Sequence, residues 1–165
     1  MSRSTMVFIG LVLAYGAYET LTESGRDEQG NIVDSGDLGV FSLRVGDCFN
    51  YGSVPAPDEE IEEIEEVEAI PCAEPHEHET YALVTVDPSI ENYPGIDEML
   101  EIAYEECLNL FENYVGRSFE ESLLDVWVMI PIPESWSRLN DREIQCHLSH
   151  MEEEKLTGTM WGSGI

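Results

Sequence analysis

Basic residues are scarce in this sequence: 7 Lys and Arg stand against 35 Asp and Glu in 165 residues, a formal net charge of -28. Phosphate backbones and anionic lipid surfaces are bound through Lys and Arg clusters, so nucleic-acid binding is all but excluded and the domain surface has no means of holding a charged membrane. Long apolar runs are also scarce. Only MVFIGLVLAYGAY, Met6 to Tyr18, is of any length, and it falls short of the roughly 18 to 20 residues that cross a bilayer comfortably. No nucleophile elbow, phosphate loop, dinucleotide fingerprint or zinc-protease helix is present, and the D-x-[DN]-x-[DN]-G spacing of a calcium loop is missing. Global disorder is excluded in turn, because a hydrophobic fraction of 42% supplies a core for one modest domain.

The apolar run follows Arg3 and includes small residues at Ala14 and Gly16. Residues 1–21 therefore read as a cleavable signal peptide or a single-pass anchor, with a buried helix as the remaining reading. Both leading readings put the rest of the chain outside the cytoplasm, because Arg3 should stay inside. The protein is expected at the cell membrane with its domain outside, or secreted after cleavage. Loss of residues 1–21 removes Arg3 and Glu19, one charge of each sign, so the exported part keeps the full -28.

Residues 22–38, rich in Gly, Ser, Asp and Glu, show no useful periodicity and read as a flexible tether. The domain proper is expected over 39–165. Strand candidates are Val40 to Val45, Val67 to Ile70, Thr80 to Val86, Val126 to Ile130 and Glu143 to Leu148, with a sixth at Leu156 to Met160. Between Ile96 and Val115, apolar residues recur every three or four positions from Met99 through Ala103, Cys107 and Phe111 to Tyr114, and Gly116 is placed to cap the helix. The fold class is thus α+β, a small, mostly antiparallel sheet of about five strands covered by one amphipathic helix. The acidic run Asp58 to Glu68 reads as a solvated loop ahead of a cation-binding patch.

Cys48, Cys72, Cys107 and Cys146 admit three pairings. Pairing of neighbours, Cys48 with Cys72 and Cys107 with Cys146, requires only adjacent elements and is the favoured one. The rival is zinc, because Cys72, His76 and His78 cluster, as do Cys146, His147 and His150. Their spacings do not match the common paired patterns, and exported thiols tend to oxidise, so no metal or other cofactor is expected.

The motifs fall in a recognisable order: VGDCF at Val45 to Phe49, PCAEPHEHE at Pro71 to Glu79, YPG at Tyr93 to Gly95, the Cys107 helix, FENYVG at Phe111 to Gly116, PIPESW at Pro131 to Trp136, NDREIQC at Asn140 to Cys146, and LTGT at Leu156 to Thr159. Over roughly residues 40–163 the chain resembles the septum-formation family, small extracytoplasmic domains of actinobacterial membrane proteins. The family usually has Gly where this chain has Asn140, and Asn also tolerates positive φ, so the turn should survive. The resemblance implies a link to cell division and transfers no catalytic residues.

The polar residues inside these motifs are Asp47, His76, Glu79, Trp136 and Arg142. His76 and Glu79 read as a hydrogen bond fixing the segment after Cys72, with an acid/base pair as the alternative. Arg142 is expected to form a bidentate ion pair with Asp47 or Glu79. Trp136 reads as core ahead of a sugar platform. The expected function is a non-enzymatic, membrane-associated interaction domain whose partner is an envelope or division protein with a basic surface. The alternatives are a cell-wall-processing enzyme using His76 and Glu79, and a metal- or cation-binding envelope protein.

Overall fold

A computed structural model describes residues 24–51 and 64–165. The expected signal peptide or anchor over 1–21 lies outside these residues, as does most of the acidic run. No helix among the described residues is long and apolar enough to cross a membrane.

Six strands form one antiparallel sheet: β3 (Gly36–Gly39), β4 (Cys48–Asn50), β5 (Glu66–Ile70), β6 (His78–Thr85), β7 (Leu124–Met129) and β8 (Glu143–His150), in the spatial order β3-β5-β4-β6-β8-β7. A separate small ribbon pairs β1 (Gly25–Arg26) with β2 (Ile32–Asp34). The main helix, α1 (Ile96–Val115), lies against β6, β7 and β8, and the short α2 (Pro133–Arg138) connects β7 to β8.

The helix forms where the apolar spacing requires it. Met99, Ala103, Cys107, Phe111, Tyr114 and Val115 are buried, and Gly116 ends it in the left-handed conformation at φ 84°. That stripe packs on Ile144, Cys146 and Leu148 of β8 and on Leu124 and Val126 of β7 to make the main core. Strand alternation sends Gln145, His147 and Trp127 to the other face, where a smaller cluster of Val40, Leu43, Phe49 and Val67 covers part of the sheet.

Both cysteine pairs form between neighbours, Cys48–Cys72 and Cys107–Cys146, and no free cysteine remains. The first ties β4 to the turn after β5; the second ties α1 to β8. Without thiolates, neither Cys/His set weighed as a zinc site keeps its sulfur ligand. Two disulfides suit an oxidising compartment outside the cytoplasm.

Three local expectations are corrected. Val40 to Val45 is not a strand: Val40–Ser42 is a 3-10 turn, with Val40 and Leu43 buried beneath the second face of the sheet. Leu156 to Met160 makes a single antiparallel bridge, Leu156 to His76; beyond it the Gly158 N–H bonds to the Cys72 carbonyl and the Met160 N–H to the Glu79 carboxylate, so no ladder continues. Residues 24–38, expected as a tether, hold β1, β2 and most of β3. Backbone pairing of β3 along the β5 edge and an ion pair from Arg26 hold them, neither of which needs apolar periodicity. Asn140 adopts φ 54°, so the turn expected from its substitution for Gly is kept.

Candidate functional site

The side chains of the five motif residues form three locks, with those of Asp47 and Glu79 on adjoining segments joined by the Thr80 N–H to Asp47 carbonyl bond. Asp47 is buried and takes the Arg26 guanidinium on both carboxylate oxygens, at 2.7 and 2.6 Å, while the Arg44 backbone N–H donates to Oδ2 at 2.8 Å. The hydrogen bond to Asp47 raises the Arg26 pKa further above its already high value. This pairing fastens the ribbon to the turn before β4.

Arg142 pairs with neither Asp47 nor Glu79, which corrects the expectation. Its Cζ lies 3.4 Å from the centroid of the Trp136 ring, and its Nη1 donates to the Trp136 and Asp141 carbonyls. The spacing W-x5-R therefore encodes a stacked cation on an aromatic face. Trp136 is buried in the main core and meets Tyr93 edge to face.

The third lock holds His76 and Glu79, both with no exposed surface. Glu79 receives three donors: the Tyr114 hydroxyl and the Thr159 hydroxyl on Oε1, and the Met160 backbone N–H on Oε2, each at 2.6 Å. Burial, then the adjacent carboxylate, pushes the Tyr114 phenol above its ordinary pKa and keeps it a donor. His76 exchanges both backbone hydrogen bonds with Leu156, and its Nδ1 donates to the Glu74 carbonyl at 2.8 Å. Burial lowers its pKa, leaving a neutral ring whose Nε2 has no partner. Together these bonds close PCAEPHEHE onto LTGT.

Ligand atoms of Cys48, His76 and Glu79 lie within 4.8 Å of one another. Cys48 sulfur belongs to a disulfide and carries no thiolate charge, and Glu79 already accepts three hydrogen bonds. With Cys48 removed as a thiolate, the oxidised protein offers at most two of these three ligands, His76 and the remaining acceptor site of Glu79.

The sheet face away from α1 gathers side chains that sequence reasoning did not bring together. Phe49, Tyr51, His78, Trp127 and His147 form a continuous ring cluster: Tyr51, His78 and Trp127 have centroids 5.0 to 5.3 Å apart, and Phe49 contacts both histidines. This cluster borders a groove of about 970 Å³ running over β7 and β8 toward α2. The alternating pattern HLSH in β8 and DVWVM in β7 was the signal available, but alternation does not say which face the helix leaves open.

Burial drives the pKa of His147 down to about 3 and that of His78 to about 4. His147 is neutral when folded and its Nδ1 lies 3.1 Å from the Thr80 hydroxyl. Above pH 6.5 both folded and unfolded states are neutral at this residue; as pH falls, the unfolded chain takes up the proton first, so stability is lost toward pH 3. His147→Asn keeps an amide near Thr80 and removes the titration. Its urea-unfolding free energy is expected to depend on pH less steeply than that of the parent protein, by about 1.4 kcal/mol per pH unit between pH 6 and 4. Parallel pH curves for the two proteins would refute a neutral buried His147.

The architecture defines a disulfide-stapled α+β domain in which the five motif residues are engaged in internal contacts. Residues 45–162 match the family model described as septum formation, and the chain belongs to that family. No curated protein and no solved structure gives a match.

Proposed function

We propose that this septum-formation domain is a non-enzymatic interaction module displayed outside the cytoplasm and held at the membrane through residues 1–21, with a role linked to cell division. The observation that carries this reading is a contrast between interior and surface. The motif acid and base, His76 and Glu79, have no solvent access and are engaged by the fold. The chain is, by comparison, strongly acidic: from Val45 to Gly116 there are 20 acids and no Lys or Arg, and of these only Asp47 and Glu79 are buried among the described residues. Such a surface repels anionic wall polymers and lipids and favours a partner of positive charge.

Cross-linking and affinity capture from the native envelope, paired with imaging of the tagged full chain, test this. The expected result is enrichment at division sites together with a basic-surfaced partner that is released as salt rises, since screening shortens the reach of exposed charges. A diffuse envelope distribution without a division-protein partner, or salt-insensitive capture, would count against it.

A further inference from the structure

We propose that the groove on the open face of the sheet is the docking site for an extended, arginine- or lysine-bearing segment of a partner protein. This rests on the interaction-module reading and assigns it a place.

Three features of the groove point to the same ligand chemistry. Its wall is aromatic. Trp127 remains 45% exposed there although it touches Tyr51 and His78, so part of its ring is open to a cation. Its rim is acidic. Glu65, Glu77, Asp141, Glu143, Glu153 and Glu154 line it with Glu134, whereas the one basic lining residue, Arg138, is already paired with Glu134 at 2.6 Å. Its floor holds a buried acceptor. Gln145 is 4% exposed and its Oε1 has no partner.

The orientation of the Gln145 amide is fixed, because Nε2 donates to the Val40 carbonyl at 3.0 Å and faces Glu143 Oε1 at 3.3 Å, both acceptors. Turning the amide over would place oxygen against oxygen. The unpartnered atom is therefore an acceptor, awaiting an N–H donor. A guanidinium or ammonium group meets all three demands: a ring face, surrounding carboxylates and donors for Oε1. Glu77 and Asp141 already have partners, in Lys155 and in the Ser135 hydroxyl, but a neutral apolar segment would leave Oε1 without a donor and the net negative charge of the rim unanswered, and an anionic one would be repelled.

The test is an NMR titration of the full 165-residue chain, in a non-ionic detergent, with an acetylated hexa-arginine peptide. Since any basic peptide is attracted to a protein of this charge, two charge-matched variants separate the groove from the general field. E65Q/E154Q removes rim charges; E101Q/E105Q removes the same number from the exposed side of α1. Expected are shifts concentrated at Trp127, His78 and Gln145. About tenfold weaker binding is expected for Trp127→Ala and for E65Q/E154Q, with less than about a twofold change for E101Q/E105Q. Shifts spread over all acidic faces, equal losses from the two charge pairs, or no binding would overturn the proposal.

Two further results would also overturn it by naming another occupant. Concentration-dependent shifts of the groove residues without peptide would indicate a second copy. Shifts of the same residues on deletion of 54–62 would indicate the chain's own acidic segment. If the native protein still captures a division partner while the peptide fails to map to the groove, the docking site falls and the interaction module stands. If no partner is captured at all, the module itself falls.

Discussion

Replacing Cys107 and Cys146 together by Ala is expected to destabilise the domain by about 4 kcal/mol. The bridge closes a sequence separation of 39 residues and fastens α1 to the middle of the main core, and the chain-entropy model gives about that value for such a loop. The Cys48–Cys72 bridge, with a separation of 24, contributes about 3.5 kcal/mol by the same reasoning. Losing both removes much of the roughly 5 to 15 kcal/mol that holds a typical domain together. Self-repulsion at a net charge of -28 sharpens the effect. The reduced protein should therefore unfold at low ionic strength and regain part of its structure as salt screens the acids. Urea titrations at two salt concentrations measure this; a midpoint unchanged by loss of the Cys107–Cys146 bridge would remove the staple from the account.

Glu79→Ala is expected to cost about 3 to 5 kcal/mol, because it strands the Tyr114 hydroxyl and the Met160 N–H inside the protein with no acceptor and releases the Thr159 hydroxyl. Glu79→Gln keeps the shape and one good acceptor but turns an amide donor toward another donor, so its cost should be about half. Amide exchange at Met160 reads the effect locally, since release of the C-terminal segment exposes that N–H. A fastening role predicts that stability and exchange move together in both variants. An acid/base role would instead leave both unchanged while removing an activity.

The same residue shows how far the sequence could be read. Glu79 stands out within PC-x2-PH-x2-E, but its donors come from 35, 80 and 81 positions away, and no local pattern connects them. Asp47 was recognised and its partner was not: Arg26 lies in a stretch of Gly, Ser and Asp that carries no periodic signal, and β3 is an edge strand held by backbone bonds. Arg142 had a nearer partner than a carboxylate, the Trp136 ring. Val40 and Leu43 share the apolar character of a strand, yet serve as plugs from a 3-10 turn. Where the pattern is dense and local, as in the 20-residue helix α1 or the turns at Gly116 and Asn140, reading and structure agree.

By itself, the sequence determined the α+β class, the helix and its buried stripe, the family and the large negative charge, and it favoured the neighbouring disulfide pairing. These depend on spacing within one element, on adjacent elements, or on composition. Tertiary structure alone decided which donors satisfy Glu79, which arginine meets Asp47, and that Trp127, His78 and Gln145 share an open face with an acidic rim. Those features depend on which side of a sheet the helix covers and on chain segments meeting across long separations, and strand alternation specifies two faces without saying which one remains exposed.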